Sequence, residues 1–272
     1  MTLVSLPIVG GVLAWEALYT LSRLALRRAA KFDGVLLNGA DAEKLVKQGP
    51  SYAIAFVHAC LVGVAGLVHV CTLLDAPAEA KIAIPDDSSP WHVAATATEY
   101  TNVAFLSWLL YDLGHIIMSY PELGGADTVA HHLGFIAASL ICGKYAILAF
   151  PFAWLTTGEL SSIALNIRWF LINTGRGDSG ALRQAQLLFA LLFLVTRVVV
   201  YGLGLAHLAI HRDVLLSAGR PGSVLAGVPP PLLWAVLVLL VGGYGLNLVW
   251  MRKIIRMATK PRKKEGKKGK KE

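Results

Sequence analysis

The stretch YAIAFVHACLVGVAGLVHVCTLL, residues 52–74, decides the fold, because it is an unbroken apolar run long enough to cross a bilayer. A transmembrane helix needs about 20 mainly apolar residues, and this run contains no Asp, Glu, Lys or Arg. Its two histidines, His58 and His69, are eleven positions apart and therefore lie on the same helix face. The run predicts a membrane-spanning helix that turns one polar face toward other helices.

Other stretches of similar length and hydropathy predict further spans. They are residues 3–21, 101–120, 129–148, 152–172, 185–210 and 232–250. The chain is 56% hydrophobic and 15% charged, whereas soluble domains are about 25% charged. We therefore expect an all-α, multi-pass transmembrane helix bundle of about seven spans. The short junction between Lys144 and Pro151 leaves two arrangements open, two complete crossings or a re-entrant hairpin.

The distribution of charge predicts a lumenal amino terminus and a cytoplasmic carboxyl terminus. Cytoplasmic loops are enriched in Lys and Arg. Basic residues follow the first span, separate the fifth from the sixth and follow the seventh, whereas residues 75–100 hold one lysine and five acids. Arg212 and Arg220 fall on the lumenal side and disagree with this pattern. The first span is expected to remain as an uncleaved anchor, because basic residues follow it.

The lysine-rich tail, residues 259–272, is expected to be a disordered cytoplasmic segment. Lys268 and Lys270 stand five and three places from the end, which resembles the KxKxx retrieval signal that vesicle coat proteins read. This pattern predicts residence in the endoplasmic reticulum membrane. A general contact between lysines and anionic lipid is the alternative. No aromatic residues interleave with the lysines, so a nucleic-acid partner is not expected.

The sequence predicts neither a disulfide nor a metal centre. Its three cysteines, Cys60, Cys71 and Cys142, form no CxxC motif and lie in apolar runs. Its eight histidines are scattered, with one adjacent pair and no HxxHH motif. No cofactor is expected either.

Three ionisable residues fall near the middle of predicted spans, namely Asp112, Glu159 and Arg197. A lone charge at that depth is costly, so we expect them to approach one another and at least one carboxylate to pair with Arg197. Two interpretations stay open. The charges form a structural ion pair, or they line the wall of a substrate cavity.

Polar residues also recur at helical spacing, which suggests an internal cavity for water or a lipid headgroup. Asp112 shares a face with His115, and Glu159 shares a stripe with Ser162 and Asn166, whereas Arg168 points away from that stripe. Adjacent helix positions diverge by about 100°, so only one of His131 and His132 is expected to face the cavity. The candidate catalytic residues are His131, His132 and Asp112. The candidate cavity residues are His58, His115, Glu159, Ser162, Asn166, Arg168 and Arg197.

Five motifs resemble the TLC-domain family of ceramide synthases, Tram translocation proteins and the ceroid-lipofuscinosis protein of the endoplasmic reticulum. They are FVHA at 56–59, YDLGH at 111–115, HHLG at 131–134, GELSSIALNIRWFL at 158–171 and LNLVWMRKIIR at 246–256. The resemblance implies a six-helix TLC core around an internal cavity at residues 45–258, preceded by an anchor and basic connection at residues 1–44. It is closest to the TLC-domain-containing proteins.

The resemblance implies a lipid-related membrane protein and leaves three functions open. Ceramide synthases carry a His-Asp segment where this chain has Glu159, which favours a protein that binds a lipid or acyl chain in lipid homeostasis. The alternative is an acyltransferase that uses acyl-CoA as co-substrate. In it, His131 or His132 acts as general base or acyl acceptor, and Asp112 or Glu159 stabilises the imidazolium. A cargo receptor of the endoplasmic reticulum is the third.

Overall fold

A computed structural model describes residues 2–32 and 42–259, and these residues form helices without a β-strand. The predicted fold class is confirmed, because the molecule is an all-α membrane bundle. The helices are α1 (Thr2–Phe32), α2 (Ala42–Leu73), α3 (Ala78–Ile82), α4 (His92–Met118), α5 (Ala126–Tyr145), α6 (Ala149–Thr157), α7 (Leu160–Asn173), α8 (Gly180–Leu192), π1 (Phe193–Val200, a π-helix), α9 (Tyr201–Ile210), α10 (Arg212–Leu216) and α11 (Pro230–Thr259).

The seven apolar stretches are mainly helical in the structure. In the described part of the chain, three helices are long and apolar enough to cross a membrane by length and composition. These are Ala42–Leu73, Gly180–Ile210 and Pro230–Arg256. The other four stretches lie on α1, α4, α5 and the pair α6–α7.

The fifth predicted span is a broken helix, because α6 ends at Thr157 and α7 begins at Leu160. The two pieces run antiparallel to α2, with Gly66 of α2 beside α6 and Tyr52 of α2 stacked on Trp169 of α7 at 4.1 Å between ring centroids. Together they follow α2 over most of its length. The two pieces thus lie alongside a helix that is long and apolar enough to cross a membrane.

The junction between α5 and α6 is short, and two of its residues have an unusual backbone conformation. Ala146 and Leu148 have φ angles of 51° and 61°, in the left-handed region that residues with a side chain rarely adopt. A short bridge to Ala83 and Ile84, with Ile84 N donating to the Ala146 oxygen at 2.9 Å, fixes the junction against the segment after α3. Two spans can therefore follow each other with almost no loop.

Several basic residues lie near helix ends at one end of the bundle, which we call the basic end. It is the end where α7 and α11 finish and α5 and α8 begin, and it carries Arg168, Arg183 and Lys253. Lys47 of α2 lies at the same end and binds Glu122 Oε2 at 2.8 Å. The hydrogen bond from the Lys47 ammonium lowers the pKa of the Glu122 carboxyl.

Candidate functional site

A cavity of about 700 Å³ opens among α4, α5, α6–α7, α8–π1 and α11. Its body is lined mainly by apolar side chains, among them Phe105, Leu155 and Phe193. Several of its polar side chains fall in two groups. One group lies on the inner wall and consists of His131, His132, Glu159, Ser162 and Arg197. The other group, Arg168, Arg183 and Lys253, lies at the basic end.

His132 is held in place by hydrogen bonds to both of its ring nitrogens. Its Nε2 lies 3.0 Å from Asp112 Oδ2 on α4, and its Nδ1 lies 2.9 Å from the Thr128 carbonyl oxygen one turn earlier in α5. Only 5% of its surface is exposed. Because both partners are acceptors, the protonated imidazole satisfies both contacts, and no ring nitrogen remains for a ligand.

His131 is the histidine whose ring nitrogens are available to the cavity. It packs against Phe135 and Trp250, with ring centroids 4.6 Å and 5.3 Å away, and it forms no hydrogen bond with the described residues. Both histidines border the cavity, although adjacent helix positions point in different directions. The two histidines differ in their hydrogen bonding, since the His132 imidazole is held by two partners and the His131 imidazole has none among the described residues.

Arg197 connects the broken helix to π1 through four hydrogen bonds. Its Nε donates to the Gly158 carbonyl oxygen at 3.1 Å and to Ser161 Oγ at 3.0 Å. Its Nη2 donates to Glu159 Oε1 at 2.8 Å and to Ser162 Oγ at 3.2 Å. The guanidinium thus satisfies the carbonyl at the end of α6 and neutralises Glu159, whose side chain is 14% exposed.

The expected pairing of Arg197 with a carboxylate is confirmed, and Glu159 is its partner. The other carboxylate, Asp112, pairs with His132. The cost of an unpaired charge in the membrane required a partner for each group. Helical spacing within one span did not identify which neighbouring helix supplies that partner.

Three other predicted cavity residues are His115, Asn166 and Arg168, and the structure locates each of them. His115 does not line the cavity, because it packs on α1 with its Nε2 2.9 Å from Glu16 Oε2. Asn166 is buried outside the lining. Arg168 lines the cavity together with Glu159, although nine residues would place them on opposite faces of one helix. A broad side of α7 borders the cavity, since Ser162, Leu165 and Arg168 all line it, and Glu159 in the turn before α7 borders the same cavity.

His58 lies behind the cavity wall. It is fully buried, and its ring stacks on Trp108, a lining residue, with centroids 3.7 Å apart and planes 7° apart. Neither of its ring nitrogens has a hydrogen-bond partner among the described residues. His58 therefore supports the wall by packing and leaves a polar position that a buried water can satisfy.

Two basic lining residues, Arg183 and Lys253, were not among the sequence candidates. Each lies near a helix end, where a basic side chain normally indicates only the membrane interface. Another missed feature is the HxxxH spacing of His207 and His211, whose ring centroids lie 4.5 Å apart. Within residues 2–32 and 42–259, no group of three His, Cys, Asp or Glu side chains could hold a metal ion.

A comparison with known families gives the class of the protein. The model of the TLC domain, named for the TRAM, LAG1 and CLN8 proteins, matches residues 51–256. The match covers most of the chain, which therefore belongs to the TLC-domain family. Family membership and the apolar helices fit a membrane protein with a lipid-related role. No curated protein and no solved structure matches the chain.

Proposed function

We propose that this protein holds a lipid or an acyl chain in the cavity and acts in lipid homeostasis or membrane composition. The observation that carries the proposal is the cavity itself, about 700 Å³ with a mainly apolar lining and a few convergent polar groups. Ligand sites in proteins typically enclose about 300–1,000 Å³ and have this composition. The apolar body suits an acyl chain, and the polar wall suits its headgroup.

Filling the cavity tests the proposal. Ala190 lines the cavity, whereas Val241 is 62% exposed on the outer surface of α11. We expect Ala190→Trp to lose co-purifying lipid in native mass spectrometry and Val241→Trp to retain it. Equal lipid occupancy in the two folded variants would show that bound lipid lies elsewhere on the bundle.

Acyl transfer from acyl-CoA is a second candidate function, favoured by the unengaged imidazole of His131 at the cavity wall. In this reaction an acceptor amine or hydroxyl attacks the thioester carbonyl, and His131 removes the proton of the acceptor. The carbon–sulfur bond then breaks, and the proton passes to the departing CoA thiolate. His132 and Asp112 act as positioning residues behind His131.

Turnover of acyl-CoA by purified protein, followed as release of free thiol, separates the two functions. His131→Ala should abolish thiol release and leave lipid occupancy unchanged. The matched control is His92→Ala, which removes a histidine far from the cavity, bound to the Pro85 carbonyl oxygen. Absence of acceptor-dependent thiol release from wild type would remove the acyltransferase candidate and leave the binding function standing.

We also propose residence in the endoplasmic reticulum membrane, with a lumenal amino terminus and a cytoplasmic carboxyl terminus. The basic end supports this orientation, because cytoplasmic flanks are rich in Lys and Arg. Lys268 and Lys270 lie outside the described residues, and their binding of coat proteins remains a prediction from the sequence. Changing both to serine should release the protein to the Golgi. An unaltered reticular distribution would contradict retrieval by this signal.

A further inference from the structure

The acidic groups around the cavity are already paired, but two of its arginines are not. Asp112 pairs with His132, Glu159 with Arg197, and Asp127 accepts a hydrogen bond from Trp250 and lies 3.8 Å from Lys253. Arg168 and Arg183 form no salt bridge within residues 2–32 and 42–259. The cavity therefore has excess positive charge, and all of that excess lies at its basic end.

Basic side chains from three separate helices converge on one opening, and two of them are the unpaired arginines. Arg168 lies near the end of α7, Arg183 in the first turns of α8 and Lys253 near the end of α11, and all three line the cavity. Arg197 adds no unpaired charge, because it pairs with Glu159 and its Nε and Nη2 donate to the α6–α7 break. An occupant thus meets a basic mouth first and an apolar body beyond it.

We propose that this basic mouth binds the phosphate of an amphiphile whose acyl chain occupies the cavity, an assignment that rests on the proposed binding function. Arginine guanidinium groups bind phosphate oxygens in pairs of parallel hydrogen bonds, which makes arginine suited to phosphate recognition. A phosphate monoester carries nearly two negative charges at neutral pH, which matches two unpaired arginines. A neutral headgroup leaves these cations without a partner.

Trp250 indicates the depth of the site in the membrane. Its ring borders the cavity between His131 and the basic mouth, and its Nε1 donates to Asp127 Oδ2 at 3.3 Å. Tryptophan is enriched at the membrane interface, at the level of the lipid headgroups. The basic mouth therefore lies where the phosphate of a lipid, or of acyl-CoA arriving from the aqueous side, can reach it without crossing the apolar body.

Binding of three fluorescent acyl probes to the full chain in an uncharged detergent tests the proposal. The probes share one acyl chain and are phosphatidic acid, acyl-CoA and diacylglycerol, which has no phosphate. We expect one or both phosphate probes to bind at least about tenfold more tightly than diacylglycerol, as charge-assisted hydrogen bonds predict. Preference for phosphatidic acid identifies a lipid phosphate as the source, and preference for acyl-CoA identifies the thioester carrier.

Arginine variants test whether the preference for phosphate probes comes from the basic mouth. Arg168→Gln and Arg183→Gln should each weaken phosphate-probe binding by about tenfold and leave diacylglycerol unchanged. Arg176→Gln and Arg252→Gln are matched controls, because they remove the same charge at the same end of the bundle without lining the cavity. They should have no effect.

Two results would overturn the proposal. One is equal affinity for all three probes, and the other is an equal loss in the mouth variants and the controls, which would indicate general surface charge. In either case the binding function itself survives if diacylglycerol still binds and Ala190→Trp blocks it. Failure of all three probes to bind wild type would refute both the binding function and the phosphate site.

Discussion

Removing the guanidinium of Arg197 should be among the most destabilising single changes in this protein. Its side chain is 12% exposed, and that of Glu159 is 14% exposed, so the pair is largely removed from solvent. Arg197→Leu leaves the Glu159 carboxylate buried without a cation. Breaking a buried ion pair by removing one partner costs about 3–5 kcal/mol. We expect a loss of that size in the free energy of unfolding.

The same change also frees two acceptors at the break between α6 and α7. The Gly158 carbonyl oxygen and Ser161 Oγ both lose the Arg197 Nε–H. A hydrogen bond to a charged group contributes about 1.5–3 kcal/mol, but these contacts share one side chain and cannot be added to the ion-pair term. They do predict that α6 and α7 separate more readily in the variant.

A double-mutant cycle isolates the charge effect. Glu159→Gln alone should cost less than Arg197→Leu, because Arg197 keeps its contacts to Gly158, Ser161 and Ser162. In the double variant the stranded carboxylate is gone, so stability should recover by at least about 1 kcal/mol relative to Arg197→Leu. If only packing mattered, changing Glu159 as well as Arg197 would not restore stability.

Unfolding by a denaturing detergent, followed by tryptophan fluorescence, measures these changes. Trp154 is a suitable reporter, because it is 2% exposed and packs on Tyr201, one helical turn from Arg197. Lys47→Gln is the control, since it breaks an exposed ion pair and should leave the transition unmoved. A double variant no more stable than Arg197→Leu would refute the argument that the stranded Glu159 charge causes the loss.

Two further predictions concern backbone positions. Gly66→Ala should lower the unfolding free energy by about 1–3 kcal/mol, because a Cβ there would lie 2.6 Å from the Thr157 backbone nitrogen. Gly242→Ala, with nothing within 4 Å, should not, and equal effects in detergent unfolding would refute close packing of α2 on α6. Ala146→Gly should raise stability by up to about 1 kcal/mol, because φ is 51° there. A lower unfolding midpoint for Ala146→Gly would contradict strain at this junction.

Much of the candidate site followed from the cost of burying charge in a membrane. Arg197 required an acidic partner, and Glu159 provides it. The histidine pair was correctly placed at the cavity wall. Exposing a polar imidazole to lipid costs free energy, so histidines in an apolar helix usually face the bundle interior. His115 satisfies the same rule with Glu16 on α1, which lies outside the TLC core predicted from the sequence.

Register arguments failed for one part of the site because they centred the cavity side of α7 on the wrong residues. The stripe of Glu159, Ser162 and Asn166 placed Arg168 on the other side. In the structure Ser162, Leu165 and Arg168 line the cavity and Asn166 does not. The sequence also did not predict the break between α6 and α7. The break has no proline at its centre, and its stabilisation comes from Arg197, which lies 38 positions from Glu159.

The sequence by itself determined the helices and the membrane class, because both depend on local apolar runs whose length and spacing are read directly. It also determined that every buried charge needs a partner. Only the tertiary structure decided which partner each charge takes, which histidine stays unengaged, and that Arg168, Arg183 and Lys253 converge on one opening. Those outcomes depend on how helices distant in sequence approach one another, and apolar helices in a bilayer can pack in many ways with similar hydrophobic burial.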